Sequence, residues 1–331
     1  MRKYIGCDLG GTNFRAGVVD LEAGRISHQS AIPTLAREGH QAVMARMSGL
    51  VNRIIDESNL PREEIGGIGI GVPGVVDLER GVVVFLPNLT GNWPQVPLAE
   101  TVTRQTGLPV CLLNDVRAIT YGEWRYGAGQ GVDTMGCFAI GTGVGGGLVI
   151  DSRLHLGIGG TAGELGHQTV EPNGYLCGCG NRGCLEAYSS GPAIAAMGMK
   201  AVSQGLTTQI AELVENDLNR ITPKIIYEAA IRGDRIAREI FQRAGSYLGI
   251  AVANLLVSVG PRTVVIAGGV SQAGDLLLEP IRRVVKERVF VMPVEQVEIL
   301  TARLGNDGGV IGVASWARDN LKGSPGLGSM H

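Results

Sequence analysis

The sequence lacks the features that mark membrane, secreted and nucleic-acid-binding proteins. No apolar run reaches the about 20 residues needed to cross a bilayer, and the start, MRKYIGCDLGG, has no signal-peptide pattern. Charged residues make up only 18% of the 331 residues, and the net charge is −2. This balance gives no basis for binding nucleic acid or an anionic membrane. We expect a cytoplasmic protein, in which the NLT sequon at Asn88 is not glycosylated.

Neither of two familiar nucleotide-binding motifs occurs in the context that would indicate nucleotide binding. No G-x-x-x-x-G-K-[ST] segment occurs, which excludes a P-loop. The pattern G-x-G-x-x-G occurs in GTGVGG (Gly141–Gly146) and GIGVPG (Gly69–Gly74), but it indicates dinucleotide binding only where it opens a helix after a strand. The first leads into the strand GLVID, and the second contains Pro73. Neither predicts a Rossmann loop.

What the sequence does contain is an α/β pattern with an internal repeat. Apolar strands such as KYIGCDL alternate with helical patterns such as residues 41–58. Residues 8–20, DLGGTNFRAGVVD, and residues 138–151, FAIGTGVGGGLVID, each combine a strand, a turn with Gly and Thr, a second strand and an Asp. The repeat predicts a duplicated, two-lobed α/β protein.

Glycine is abundant, at 51 residues, and it clusters after strands in DLGGT, GTGVGGG and AGGVS. Backbone N–H groups in such turns can cradle phosphate oxygens, because glycine lets the backbone approach closely. The alternative is that these are plain hairpin turns of a Gly-rich sheet. Three such turns in one chain favour phosphate binding.

Asn114 and Asp115, in LLNDVRA, stand where an apolar strand meets a helix. Both residue types are favoured helix N-caps. An Asp held rigidly there can also serve as a general base that takes a proton from an acceptor hydroxyl in phosphoryl transfer. The spacing alone leaves both roles open.

Six cysteines fall into two groups. Three stand alone in apolar runs and are expected to be buried: Cys7, Cys111 and Cys137. The others, Cys177, Cys179 and Cys184, cluster in YLCGCGNRGCLEAY, which in a cytosolic chain indicates metal binding or catalysis. A closed zinc site needs a fourth ligand. A redox pair is less favoured, because the spacing is C-x-C rather than C-x-x-C.

Together these segments resemble the ROK family of sugar kinases and repressors, most closely its bacterial glucokinase branch. The matching pieces run in family order: DLGGTNFRAGVVD, GIGVPGVVD, PN…W, NDVRA, GTGVGGG, GELGH, CGCGNRGCLEAYSSG and IAGGVS. The resemblance implies an actin/hexokinase-like (ribonuclease H-like, duplicated) ATPase fold with ATP in an interlobe cleft. It also implies a small α/β lobe at 1–115 completed by a C-terminal helix near 306–322, a large lobe at 116–305 with a zinc-binding segment at 167–186, and a flexible tail at 323–331.

The resemblance also assigns roles. Asp115 becomes the catalytic base, and Asp8 lies near Mg²⁺. The implied ATP contacts are Asp8, Gly10, Gly11, Thr12, Thr142, Gly143, Gly268, Gly269 and Val270. The implied sugar contacts are Gly74, Asn88, Asn114, Asp115, Glu164, His167 and Glu186. Many members carry Lys where this chain has Asn13, so a positive charge near the phosphates is missing.

The resemblance also supplies the missing metal ligand. His-x9-Cys-x-Cys-x4-Cys is the family's zinc pattern, and it is present here. Its four residues imply a closed, structural Zn²⁺ site: His167, Cys177, Cys179 and Cys184.

The implied reaction is ATP-dependent phosphorylation of glucose at its 6-hydroxyl. N-acetylglucosamine, N-acetylmannosamine, mannose, fructose and allose remain alternative substrates, and polyphosphate an alternative donor. A ROK-type repressor would carry a helix-turn-helix ahead of the first glycine turn, which here begins at residue 8, so that alternative is remote. An actin-like structural protein would not need the zinc and sugar residues. The family implies a homodimer or homotetramer.

Overall fold

The computed structural model describes residues 2–86, 89, 91 and 93–321, which divide into two compact units. Unit 1 comprises the described residues of 1–131, 153–162 and 303–331, and unit 2 comprises 132–152 and 163–302. The helix that starts at Asp115 belongs to unit 1 and packs against the C-terminal helix: a Cβ on Gly312 would lie 1.8 Å from the carbonyl oxygen of Ala118.

Strands and helices alternate along the chain. The strands are β1 Lys3–Leu9, β2 Asn13–Asp20, β3 Arg25–Pro33, β4 Ile65–Val72, β5 Val75–Asp77, β6 Val82–Phe85, β7 Val110–Asn114, β8 Met135–Ile140, β9 Val144–Ile150, β10 Arg153–Leu154, β11 Thr263–Ala267 and β12 Glu298–Thr301. The helices are α1 His40–Ser58, α2 Leu98–Thr106, α3 Asp115–Tyr126, α4 Glu186–Ser189, α5 Gly191–Ser203, α6 Gln209–Leu213, α7 Pro223–Ile231, α8 Arg235–Val259, α9 Asp275–Arg288 and α10 Gly308–Asn320.

The two units contain the same sheet pattern. In unit 1 the strand order is β3-β2-β1-β4-β7, with β1 and β2 antiparallel and β4 parallel to both β1 and β7. In unit 2 the order β9-β8-β11-β12 repeats it, with β8 and β9 antiparallel and β11 parallel to both β8 and β12. The repeated sequence segments form the two hairpins, which confirms the internal repeat.

Each unit has its own apolar core. Helix α1 buries one face, including Met47 and Ile54, against the sheet of unit 1. Helix α10 lies almost on the backbone of the same sheet, because Cβ atoms on Gly6 and Gly69 would come within 1.9 and 2.0 Å of carbonyl oxygens of α10. Only glycine permits that approach.

Among the described residues, one helix has the length and apolar composition to cross a bilayer, namely α8. Of its most apolar window, 61% is buried. Helix α8 contributes Phe241 and Leu248 to the core of unit 2. These are the properties of a core helix.

Glu123 of α3 is a buried carboxylate that holds three backbone N–H groups. It is 0% exposed and accepts hydrogen bonds from Ala128 at 2.9 Å, Arg303 at 2.9 Å and Leu304 at 2.8 Å. We expect Glu123→Ala to lower the free energy of unfolding by about 3 kcal/mol or more, because several buried donors lose their acceptor. The shift of the urea midpoint measures it. The exposed Glu22→Ala is the control, and equal shifts in both variants would contradict this role.

Candidate functional site

In unit 1, the predicted site residues gather at the carboxyl edge of the parallel strands. Asp8 near the end of β1 pairs with Gly71 of β4, and Val72 at the end of β4 pairs with Asn114 of β7. Asp115 follows directly as the first residue of α3. Ligands of open α/β sheets bind at this edge.

The start of α3 is fixed by side-chain hydrogen bonds. Asn114 is the N-cap: its Oδ1 accepts from the N–H groups of Val116 at 3.1 Å and Arg117 at 3.2 Å. Its Nδ2 donates to the carbonyl of Gly74 at 3.2 Å. Oδ1 of Asp115 accepts a hydrogen bond from the N–H of Val116 at 2.8 Å. Asp115 is half-buried, so a rigidly held carboxylate stands at the sheet edge.

The first glycine turn, Gly10–Thr12, joins β1 to β2. It is closed by Thr34, whose Oγ1 donates to Gly10 at 2.7 Å and whose N–H donates to the carbonyl of Thr12 at 2.8 Å. Thr34 is only 1% exposed. The sequence carries no signal for this role, since Thr34 lies more than twenty residues from the turn that it supports.

Asp8 is the acidic group beside this turn. Burial raises the pKa of its carboxyl, and the positive charge of Arg15 acts in the opposite direction. Arg15 is itself held by Asp307, at 2.9 Å, and by the carbonyl of Asn306. A carboxylate oxygen at this place is a suitable ligand for a hard cation such as Mg²⁺.

In unit 2, the second and third glycine turns lie side by side. They follow β8 and β11, which run parallel with Ala139 paired to Ala267. A Cβ on Gly268 would lie 2.4 Å from the carbonyl oxygen of Ile140, directly before the second turn. Thr142, Gly268 and Gly269 are exposed. The two turns therefore present exposed residues at one sheet edge.

Glu186 connects the second glycine turn to the cysteine segment. Its Oε2 accepts from the N–H of Val144 at 2.9 Å, and its Oε1 lies 3.7 Å from the sulfur of Cys177. A Cβ on Gly143 would lie 2.4 Å from Oε2, so a larger residue at this position would displace the carboxylate. Gly166 packs against the carbonyl of Val144, where a Cβ would come within 1.7 Å. The turn, the Glu164–His167 segment and Glu186 thus form one packed group.

The four predicted metal ligands converge. One ligand atom from each of His167, Cys177, Cys179 and Cys184 lies within 4.8 Å of all the others. Nδ1 of His167 lies 3.7 Å from Sγ of Cys177, and the sulfurs of Cys179 and Cys184 are also 3.7 Å apart. In a tetrahedral site with Zn–S bonds of about 2.3 Å, neighbouring sulfurs lie about 3.8 Å apart. The spacing fits a tetrahedral zinc ion.

The thiols of this cluster differ in acidity. Burial raises the pKa of Cys177 to about 12, whereas the backbone N–H of Asn181 lowers the pKa of Cys179. Because the thiolate is the form that ligates metal, a bound cation has to offset the cost of ionising Cys177.

Comparison with known proteins identifies the family of this chain. The sequence matches the ROK family over residues 4–320. The chain belongs to the ROK family. A glucokinase of Thermotoga maritima is 37% identical over 324 residues, which cover 97% of this chain and 99% of that protein. A ROK family glucokinase from Streptomyces griseus, solved in complex with glucose and AMPPNP, superposes with a TM-score of 0.82 at 35% identity, covering 96% of this chain and 99% of that one. The chain has the two-lobed α/β fold of ROK sugar kinases.

The ROK family also includes regulators. A xylose repressor of Caldicellulosiruptor bescii is 30% identical over 321 residues, covering 97% of this chain and 79% of the repressor. Membership of the family alone therefore does not distinguish a kinase from a repressor. The distinction rests on the chemistry of the site.

The predicted site residues of this ROK chain occupy defined places, with one exception. Asn88 lies outside the described residues. Gly74, Asn114 and Asp115 belong to unit 1 with the first glycine turn, and Glu164, His167 and Glu186 belong to unit 2 with the other two turns. Their roles toward ATP and sugar remain predictions.

Proposed function

We propose that this protein is a glucokinase, which transfers the γ-phosphoryl group of ATP to the 6-hydroxyl of glucose. The observation that carries the proposal is Asp115, a fixed carboxylate at the carboxyl edge of the unit 1 sheet in a chain similar over its length to glucokinases. The Streptomyces griseus relative was solved with glucose and an ATP analogue. The proposed substrates are therefore glucose and ATP.

In the proposed reaction, Asp115 accepts the proton of the 6-hydroxyl. The oxygen then attacks the γ-phosphorus, the bond between that phosphorus and the bridging oxygen breaks, and ADP leaves. A carboxylate can act as the base that takes this proton. The hydrogen bond from Val116 fixes one oxygen of Asp115 and thereby the direction of the other.

ATP would be held by backbone donors. The proposed phosphate contacts are Gly10, Gly11, Thr12, Thr142 and Gly143. Gly268, Gly269 and Val270 would border the nucleotide. Mg²⁺ near Asp8 supplies positive charge to the phosphates when bound. With Asn13 in place of a lysine, the backbone donors carry more of this task.

The sugar would be bound by polar groups. Glu164, His167 and Glu186 would bind hydroxyls, with Gly74, Asn88 and Asn114 as further contacts. In Asn114, one of the two amide hydrogens is used by Gly74, which leaves the other for a sugar oxygen.

We further propose that His167, Cys177, Cys179 and Cys184 hold one structural Zn²⁺. Nδ1 of His167 lies near the Cys177 sulfur and would be the ligand, in which case Nε2–H would be a donor of fixed tautomer. Nε2–H would then face a sugar hydroxyl. The ion would do no chemistry and would hold the sugar-binding groups in place.

The remaining expectations stay proposals: a small and a large lobe as assigned from the sequence, a cytoplasmic protein, and assembly as a homodimer or homotetramer.

The substrate is tested by measuring ADP release over a panel of hexoses and N-acetylhexosamines with ATP and Mg²⁺. We expect the highest kcat/KM for glucose. A higher value for N-acetylmannosamine or another sugar would replace the substrate and keep the kinase, whereas no sugar-dependent ADP release would refute the kinase. Polyphosphate in place of ATP tests the donor.

A further inference from the structure

Arg117 is a buried cation in the first turn of α3, two residues after Asp115. It is only 2% exposed. Its Nε and Nη2 both donate to the carbonyl oxygen of Ala162, at 3.0 and 2.7 Å. Burying a guanidinium is costly unless its donors are bonded. A buried arginine directed at a backbone carbonyl fixes the position of that carbonyl.

Ala162 lies where the chain passes from unit 1 to unit 2. Residues 153–162 belong to unit 1, although the stretches before and after them belong to unit 2. Ala162 is the last residue before the chain returns to unit 2, and Glu164 follows two residues later. The carbonyl held by Arg117 therefore precedes a proposed sugar ligand by two residues.

Two backbone hydrogen bonds lie within the segment that ends at Ala162. The N–H of Ala162 donates to Leu156 at 2.8 Å, and the N–H of Thr161 donates to Ile158 at 3.2 Å. Ile158 is 94% exposed. The segment borders a cavity of about 760 Å³ in unit 1, and Gly157, Gly159 and Gly160 have positive φ angles. Glycines in an exposed loop give the backbone more conformational freedom, so a fixed point at Ala162 restrains the chain.

We infer that Arg117 is a positioning residue that anchors the chain at Ala162 and thereby fixes Glu164 for sugar binding. It acts through the Ala162 carbonyl rather than by touching sugar or ATP. Because small displacements of binding groups weaken binding strongly, loss of the anchor affects the sugar. The glycine turns proposed to hold ATP follow strands outside this segment, so we expect little effect on the KM for ATP. The kinetic part of this inference rests on the proposed function, and the anchor itself does not.

The test compares Arg117→Met, which keeps the side-chain volume but removes the donors, with Arg125→Met. Arg125 lies on the same helix and faces Asp319, at 3.8 Å. In Arg117→Met, we expect amide hydrogen exchange at residues 161–164 to become about tenfold faster or more. We expect the KM for glucose to rise about tenfold or more, while the KM for ATP changes less than about threefold. Arg125→Met should match the wild type in all three.

Arg117→Lys, which keeps the charge and a donor, should give intermediate exchange rates and KM values. If Arg117→Met does not fold, the Lys variant provides the test. Wild-type exchange at residues 161–164 in the folded variant would overturn the anchor. Equal increases in the KM for glucose and for ATP would indicate general damage and overturn the positioning role. If the wild-type enzyme phosphorylates no sugar, the proposed function fails, and the exchange measurement still decides on the anchor.

Discussion

Asp115→Asn is expected to lower kcat for glucose phosphorylation by about 10²–10⁴-fold, the usual contribution of a general base. The amide has the shape of the carboxylate and can still accept the hydrogen bond that Asp115 accepts from Val116. The start of α3 should therefore persist, and with it the cap formed by Asn114. What disappears is the ability to take the proton of the 6-hydroxyl.

The KM for glucose separates this effect from a binding defect. We expect it to stay within about threefold of wild type, because the lost interaction acts in the transition state. Asp20→Asn is the matched control. Asp20 pairs with Lys3 at 2.7 Å at the end of β2, and its loss should leave kcat unchanged. Near-normal turnover in folded Asp115→Asn would remove Asp115 from the role of base.

Removing the metal from the Cys₃His cluster is expected to have the second largest effect. The purified enzyme should contain one zinc per chain, and a zinc chelator should raise the KM for glucose by about 10–100-fold, as loss of supporting groups around a site does. Loss of the metal would release both His167 and Cys177. The sulfur of Cys177 lies 3.7 Å from Oε1 of Glu186. Two proposed sugar ligands thus lose their support together. Metal analysis and steady-state kinetics with excess Mg²⁺ measure both quantities.

The cysteine variants supply the controls for this result. Cys184→Ser should lose zinc and show the raised KM, and added Zn²⁺ should rescue only the chelated wild type. Cys111→Ser replaces a cysteine of unit 1 outside the cluster and should keep both zinc and KM. If the metal-free enzyme stays folded and keeps full sugar affinity, the zinc does not support the sugar site.

Sequence patterns predicted the long, periodic elements well. The helix expected at 41–58 is α1, His40–Ser58, and the repeated Gly-Thr segments form the β1–β2 and β8–β9 hairpins. Apolar periodicity extends over many residues in such elements, so the prediction averages over local exceptions. Short elements such as α6, Gln209–Leu213, and the strand pair β5–β6 carry too few residues for a period to be recognised.

The Cys/His cluster was predicted from the sequence, but the hydrogen bonds that connect the candidate site residues were not. The cysteine segment, with His167 from the family pattern, indicated the cluster that the fold brings together. The link from Glu186 to Val144, the closure of the first turn by Thr34 and the bond from Arg117 to Ala162 join residues far apart in sequence. Such contacts depend on tertiary packing, as does the association of α3 with α10.

Identification of the reaction product tests the central claim most directly. The wild-type enzyme is incubated with glucose, ATP and Mg²⁺, and the product is analysed by phosphorus and proton magnetic resonance. We expect glucose 6-phosphate, with one ADP formed for each phosphorylated sugar. Phosphate at another hydroxyl, or ADP formed without any phosphorylated sugar, would contradict it.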